Sequence, residues 1–242
     1  MAFNNETGSV LAARNMDFVP AAALAIISYD VDFYKDESTL LYKGTTFFGY
    51  VGLWTAFKPK RFSVTMNERT GGTFGDNLAS ILLAAKQSRD TGKDSEVVPI
   101  SLVARKTVEI CSNYVCAFNG VLQAQTPAGS YVVVSGTTAD EGALLTRSRH
   151  SADVQLVKHQ QTFPENKWYL LQTNDDYFLP ATDSRRATGH DDMDKVGSES
   201  VDMEELEAVL MQAPVNQRHT IYTTTMDIKS GGYKTVVHLK ND

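Results

Sequence analysis

The sequence predicts an α+β fold in which strands and helices occupy separate layers. Three observations support this: β-type runs fill the first third of the 242-residue chain, helical spacing follows, and strands return before the end. The regular alternation of strand and helix that indicates a parallel βαβ sheet does not occur. A chain of this length can bury one sizeable core, so we expect a single domain over residues 1–242.

The first third is rich in β-branched and aromatic residues separated by Gly, Pro, Asp and Lys. In residues 62–66, Phe, Val and Met alternate with Ser and Thr, which is typical of a strand with one face on the core. The predicted strands are Val10–Ala13, Leu24–Phe33, Leu40–Phe47 and Phe62–Glu68.

The middle of the chain has helical spacing. Leu78, Ile81, Leu82 and Ala85 fall on one face of a predicted helix over residues 77–87, and Asp76 stands where it can cap that helix. Two further helices are predicted at Ser101–Ile110 and Tyr114–Gln123, before Pro127 ends the region.

The last part returns to strands and contains one more helix. Residues 183–200 are polar and acid-rich and are predicted as an exposed loop, after which Ser200 and Asp202 begin a helix that ends at Pro214. A short connection over residues 229–232, which contains two glycines, indicates a closing hairpin. The predicted strands are Tyr131–Val134, Gly142–Thr146, Val154–Val157, Trp168–Thr173, Thr220–Ile228 and Tyr233–Leu239.

Composition excludes several functional classes. The formal net charge is −6 and basic residues are scattered, so we expect no nucleic-acid partner. No apolar stretch reaches the roughly 20 residues of a membrane-spanning helix, and no targeting signal is expected at the start of this chain. Cys111 and Cys116 are too few and too close for a disulfide framework, so both are predicted as small buried residues.

Eight segments of the chain match known motifs in a fixed order and extend over nearly its whole length. The first group comprises Arg14–Phe18, Gly44–Phe47, Gly49–Trp54 and Phe62–Arg69. The second comprises Leu144–Arg149, Gln172–Asp175, Asp183–Arg186 and Ile221–Thr224. Together these segments resemble one family, that of acid ceramidase and N-acylethanolamine acid amidase.

The resemblance implies an N-terminal-nucleophile hydrolase fold, a four-layer αββα sandwich of two antiparallel sheets. In this family a precursor cuts itself before a cysteine, whose α-amine then acts as base for its own thiol. The thiol attacks an amide carbonyl. The resemblance thus implies a β-subunit that pairs with the α-subunit of the same precursor, in a lysosomal or secretory compartment. It implies no cofactor and no metal.

The resemblance also assigns roles to five residues. Arg14 would lie beside the nucleophile and stabilise the thiolate, and Asp17 would orient the α-amine. Asn174 would donate its amide to the developing oxyanion. Glu68 and Arg185 would form an ion pair or a hydrogen-bonded brace for the site. Ser184 and Asp175 depart from the family pattern beside Arg185 and Asn174.

The catalytic cysteine is expected a few residues before the position of Met1, and neither Cys111 nor Cys116 matches it. We interpret this chain as truncated just after the nucleophile, and as inactive without it. The favoured function is hydrolysis of a lipid amide, ceramide, to sphingosine and a fatty acid. The alternatives are N-acylethanolamine hydrolysis and an inactive lipid-binding relative, and contact with a lipid surface would suit any of the three.

Overall fold

The computed structural model describes residues 1–69, 73–92, 97–157 and 168–239, which fold into four layers: helices, a sheet, a second sheet and helices. This confirms the predicted α+β sandwich. The strands are β1 (Ala2–Phe3), β2 (Val10–Asp17), β3 (Ser28–Tyr34), β4 (Leu40–Phe47), β5 (Thr55–Lys58), β6 (Phe62–Glu68), β7 (Ser130–Ser135), β8 (Gly142–Arg147), β9 (Ala152–Leu156), β10 (Thr220–Asp227) and β11 (Gly232–Val237). The helices are α1 (Ala21–Ile26), α2 (Phe74–Thr91), α3 (Ile100–Ile110), α4 (Tyr114–Gln123), α5 (Arg185–Val196) and α6 (Met203–Met211).

The first sheet has four antiparallel strands in the order β1-β2-β10-β11. The chain termini therefore build one sheet together, since β10 pairs with β2 along most of its length. β1 pairs with β2 over two positions, Ala2 with Leu11 and Phe3 with Val10. On its other side, β1 meets the segment around Tyr169 through a bridge at Ala2.

The second sheet has seven antiparallel strands, β3 to β9, in chain order. The long excursion between β6 and β7 carries α2, α3 and α4, and the last two pack on the outer face of this sheet. The spacing of Val103, Ala104, Thr107 and Val108 explains this packing, because residues three or four apart share one face of a helix. α1 and α6 pack instead on the first sheet.

Two stretches of the chain differ from the predicted elements. Residues 24–26, predicted as the start of a strand, belong instead to α1, because residues 21–26 are mostly alanine, which favours helix, and bury Ala21 and Ala25 one turn apart. Residues 185–196 form α5 rather than a loop. That helix is polar almost all round and buries only Arg186, Gly189 and Met193, so its sequence gives little periodic signal.

Smaller corrections concern α2 and the short strands. Thr73, and not Asp76, is the N-cap of α2; Asp76 is its reciprocal partner in a capping box, accepting a 2.9 Å hydrogen bond from the Thr73 amide. Residues 168–173 make one β-bridge instead of a strand. The short strands β1 and β5 were not predicted. No helix within the described ranges has both the length and the hydrophobicity to cross a membrane.

Cys111 and Cys116 form a disulfide, so the prediction of two unlinked, buried cysteines was wrong. α3 ends at Ile110, Cys111 is its C-cap, and α4 begins three residues after Cys111, at Tyr114; this turn brings the Cα atoms of Cys111 and Cys116 to 5.4 Å. That separation is within the range that a disulfide requires. Cys111 is buried, whereas Cys116 is exposed on α4.

The core beneath α3 and α4 should dominate stability. Leu145 on β8 is fully buried in this cluster, so we expect Leu145→Ala to lower the free energy of unfolding by about 2–5 kcal/mol. Leu83→Ala is the matched control, because Leu83 is 68% exposed on α2, and it should change stability by less than about 0.5 kcal/mol. Urea unfolding measures both; equal effects would contradict the assignment of the core.

Candidate active site

A cavity of about 400 Å³ lies at the edge of the first sheet, where β1 stops short of covering β2. The structure brings all five predicted site residues to its wall, although they are far apart in the chain. The polar lining includes Arg14, Asn15, Asp17, Asn67, Glu68, Gln172, Asn174 and Arg185.

Arg14 is buried between the two sheets. One of its terminal nitrogens donates to the Met66 carbonyl and to the Asn67 side-chain oxygen, both at 3.1 Å. The other terminal nitrogen donates to the Thr55 hydroxyl at 3.3 Å and to the Tyr222 hydroxyl at 3.5 Å. Within the described residues its Nε has no partner and no carboxylate lies within ion-pair distance. Arg14 is thus a buried cation held entirely by neutral groups.

The aromatic ring of Tyr222 supports this cation from β10. The Arg14 guanidinium carbon lies 5.8 Å from the ring centroid, a distance at which a cation is attracted to the ring face. The Tyr222 hydroxyl also pairs with the Thr55 hydroxyl at 3.1 Å. Burial raises the pKa of Tyr222, and the Arg14 charge opposes that rise. The phenol is therefore a neutral partner for the guanidinium.

Asp17 stands at the end of β2 and, three residues from Arg14, projects from the opposite face of that strand. Its carboxylate accepts a 2.6 Å hydrogen bond from the Thr220 hydroxyl on β10. Arg185 lies 3.7 Å from the other carboxylate oxygen. Asp17 therefore connects the end of β2 to β10 and to Arg185.

Asn174 is held in a fixed orientation by two contacts. Its side-chain nitrogen donates to the Glu68 carbonyl at 2.9 Å, and its side-chain oxygen accepts from Arg185 at 3.1 Å. Because an amide nitrogen carries two protons, the second N–H remains to donate to another acceptor. Asn174 can therefore serve as a preorganised donor.

Glu68 and Arg185 do not form the direct pair that the resemblance suggested. Arg185 binds Asp183 at 2.8 Å and Asp17 at 3.7 Å, and Glu68 contributes its backbone carbonyl to Asn174. Glu68 ends β6 with an exposed side chain, which explains why its carboxylate does not reach Arg185. The two residues are connected through Asn174.

A strong ion pair behind Asn174 was not predicted. Arg69 contacts both carboxylate oxygens of Asp176 at 2.7 Å, and the Tyr131 hydroxyl donates to the same carboxylate at 2.8 Å. The hydrogen bond from Arg69 holds the pKa of Asp176 below its usual value. Arg186 adds hydrogen bonds to the Asp175 and Asp176 carbonyls. The segment that carries Asn174 is thus fixed at three points.

The edge of β2 that faces away from β10 forms part of the cavity wall beyond Leu11. Met1 extends β1 along this edge, and its carbonyl accepts a 2.8 Å hydrogen bond from the Leu170 amide. No described residue pairs with the β1-side edge of β2 from Ala12 to Asp17. Unpaired backbone groups on a strand edge are able to bind a further extended segment.

The remaining wall of the cavity is apolar and comes from both helix layers and from the second sheet. It includes Trp54, Ile100, Val133, Leu171, Met193, Leu206, Val209, Leu210 and Val215. An apolar cavity with a few convergent polar groups is typical of a small-molecule site. Within the described ranges, no three His, Cys, Asp or Glu side chains are grouped as a metal site requires.

The curated proteins that the chain resembles include N-acylethanolamine-hydrolyzing acid amidases and acid ceramidases. No protein-family model matches the chain. It is 32% identical over 226 residues to the N-acylethanolamine-hydrolyzing acid amidase of Oryctolagus cuniculus, covering 92% of this chain. It is 30% identical over 253 residues to the acid ceramidase of Homo sapiens, covering 96% of this chain. The chain spans 59% of the length of each relative.

A solved structure gives the same result for the fold. The ortholog of N-acylethanolamine-hydrolyzing acid amidase from Caenorhabditis elegans superimposes with a TM-score of 0.80 and 27% sequence identity. The superposition covers 98% of this chain and 97% of that chain. The two proteins therefore share the layered arrangement over nearly all of this chain.

The Arg69–Asp176 pair should stabilise the fold in a pH-dependent way. We expect Asp176→Asn to lower the free energy of unfolding at pH 7 by about 1–3 kcal/mol, because the pair is bidentate and its side chains are only 23% and 14% exposed. A carboxyl whose pKa is lowered on folding stabilises above about pH 4 and loses that contribution in more acidic solution. The difference from wild type should therefore shrink below pH 4.

Urea unfolding at pH 7 and pH 3 checks this expectation. Asp192→Asn is the control, because it removes a pair whose lysine, Lys195, is 74% exposed, and it should change stability by less than about 1 kcal/mol. A difference for Asp176→Asn that stays constant down to pH 3 would show that the ion pair is not its cause.

Proposed function

Because the chain belongs to the family of N-acylethanolamine-hydrolyzing acid amidases and acid ceramidases, and has their N-terminal-nucleophile hydrolase fold, we propose that the full-length protein hydrolyses the amide bond of a fatty-acyl amide. The observation that carries this proposal is Arg14. A guanidinium that is buried without a carboxylate is suited to an anionic partner that forms during a reaction.

We place the nucleophile on residues that precede Met1 in the full-length protein. The register of β1 pairs Ala2 with Leu11 and Phe3 with Val10, and continuing it upstream sets the preceding residues beside Ala13, Arg14 and Asn15. The unpaired edge of β2 offers hydrogen bonds for this extension. A cysteine at that place would have its thiol near Arg14 and its α-amine within reach of Asp17.

The proposed reaction uses the α-amine of the nucleophile first as a base and then as an acid. The α-amine removes the thiol proton, and the sulfur attacks the carbonyl carbon of the amide. Arg14 stabilises the thiolate, and the second N–H of Asn174 donates to the oxyanion. The amine then gives the proton to the leaving nitrogen, and water hydrolyses the thioester to a fatty acid and the free cysteine. Arg185 acts as a positioning residue for Asn174 and Asp17.

The apolar wall of the cavity is suited to bind a long acyl chain, which we take to be the part of the substrate that enters the cavity. Ceramide is the first candidate substrate, on the resemblance of residues 14–18 and 67–69 to acid ceramidase. N-acylethanolamine is the second, supported by the structural match to the acid amidase ortholog over nearly all of the chain. Both substrates share the fatty-acyl amide, and they differ in the amine that leaves.

We also propose maturation in the secretory pathway and function in the lysosome. The Cys111–Cys116 disulfide supports this route, because disulfides form and persist in oxidising compartments.

The partner proposed from the same precursor is its α-subunit. Contact with a lipid surface is supported by α2, which exposes Leu78, Ile81, Leu82 and Leu83.

The oxyanion role of Asn174 is tested in the full-length enzyme. We expect Asn174→Ala to lower kcat on the preferred fatty-acyl amide by about 100- to 1000-fold, with a smaller change in KM, because the donor acts mainly on the transition state. Asn216→Ala is the control, since Asn216 does not line the cavity. Initial rates with ceramide and with an N-acylethanolamine provide the measurement and rank the two substrates.

Two outcomes of that assay would count against the proposal. If Asn174→Ala keeps kcat within about threefold of wild type, Asn174 is not the oxyanion donor. If the wild-type protein binds both lipids but releases no fatty acid from either, the protein is a lipid-binding relative without amidase activity.

Arg14 provides a second test through the charge of its guanidinium. Arg14→Met should raise the pH at which the nucleophilic thiol reacts with iodoacetamide, because a nearby cation favours the thiolate. Arg14→Lys should recover part of the reactivity, since it keeps the charge but loses the forked geometry. Arg61→Met, at an exposed position on the β5–β6 turn, should behave as wild type. The same pH profile for all four proteins would contradict the role of Arg14.

A further inference from the structure

We propose that Asn5 carries an N-linked oligosaccharide in the full-length protein. Asn5-Glu6-Thr7 fits the acceptor sequence Asn-x-Ser/Thr, with a middle residue other than proline. Such tripeptides arise often by chance, so the sequence by itself does not decide whether this one is modified. The structure adds two observations that the sequence alone does not give. One is the solvent exposure of the Asn5 side chain, and the other is a disulfide that indicates the redox environment.

The turn between β1 and β2 presents Asn5 at the surface. Asn4 anchors the turn from inside, because its side-chain nitrogen donates to the Val201 carbonyl at 2.7 Å and its oxygen accepts from the Glu6 and Thr7 amides at 2.8 Å. Asn4 is 5% exposed, whereas Asn5, Glu6 and Thr7 are all exposed to solvent. Two adjacent asparagines thus have opposite environments, and the acceptor is the accessible one.

The one described contact of the Asn5 side chain is compatible with a sugar. Its nitrogen donates to the Ser198 hydroxyl at 2.8 Å in an exposed position. Glycosylation replaces one of the two hydrogens on that nitrogen, so one N–H remains for Ser198. The acceptor therefore does not have to break a buried interaction to carry the sugar.

The covalent step has a lipid-linked oligosaccharide pyrophosphate as its second substrate. The Asn5 side-chain nitrogen forms a bond to the first carbon of the sugar, and the bond from that carbon to the pyrophosphate oxygen breaks. The nitrogen loses one proton, and the lipid pyrophosphate leaves with the bonding electrons. No oxidant or reductant takes part.

The disulfide indicates the compartment in which this donor is found. Oligosaccharide transfer takes place in the oxidising lumen where secretory proteins fold, and Cys111–Cys116 is a bond that such a lumen favours. The inference thus rests on the proposed secretory route, but it does not rest on amidase chemistry. Asn5 also lies beyond Phe3, at the opposite end of β1 from Met1 and the cavity. The oligosaccharide should therefore leave catalysis unchanged.

The experiment uses the full-length precursor expressed in secretory eukaryotic cells. We expect wild type to lose the mass of one oligosaccharide from the peptide containing Asn5 after treatment with a peptide N-glycosidase, which leaves aspartate at the acceptor. Asn5→Gln and Thr7→Ala should abolish this loss. Thr7→Ser should retain it, because serine keeps the hydroxyl that the acceptor sequence requires.

Two further measurements on the same samples distinguish an error in this inference from an error in the proposed function. Non-reducing peptide mapping reports the Cys111–Cys116 bond, and fatty-acid release reports the amidase. An unmodified Asn5 in protein with the disulfide formed overturns the inference, whether or not the amidase is active. A modified Asn5 in protein that releases no fatty acid supports the inference and contradicts the proposed function.

Discussion

The site depends on the burial of a single positive charge, that of Arg14. Placing a guanidinium between two sheets is unfavourable unless its donors are satisfied. Four of its contacts come from β5, from the end of β6 and from β10, so the charge is held by both sheets at once. All four partners are uncharged in the folded protein. The site therefore keeps its positive charge available for an anionic group in the cavity.

The end of β6 connects Arg14 to Asn174 on the other side of the cavity. Met66 and Asn67 bind Arg14, and the next residue, Glu68, binds Asn174 through its carbonyl. One strand end thereby sets the distance between the cation and the proposed oxyanion donor. The ion pair of Arg69 with Asp176 fixes the same two segments a second time. Two independent links between them explain how a residue in an irregular segment can have a defined orientation.

Much of this architecture could be predicted from the sequence, and the exceptions have physical causes. The layered α+β order followed from alternation in strands such as β6 and from helical spacing in α3 and α4. α5 was missed because its buried positions include an arginine and a glycine, which periodicity does not mark. The Arg69–Asp176 pair depends on tertiary geometry, which the sequence pattern does not reveal. The Cys111–Cys116 bond depends on the break between α3 and α4, which composition does not reveal. The five site residues were named through resemblance alone.

We propose that Arg14 and Asn174 serve a nucleophile at the N-terminus of the mature β-subunit. N-terminal sequencing of the mature protein from its natural source, together with its intact mass, tests this proposal. We expect a mature subunit that begins with cysteine a few residues before the position of Met1, in the continuation of β1. A mature subunit that begins at Met1, or with a residue that has no nucleophilic side chain, would contradict it and would leave a lipid-binding relative.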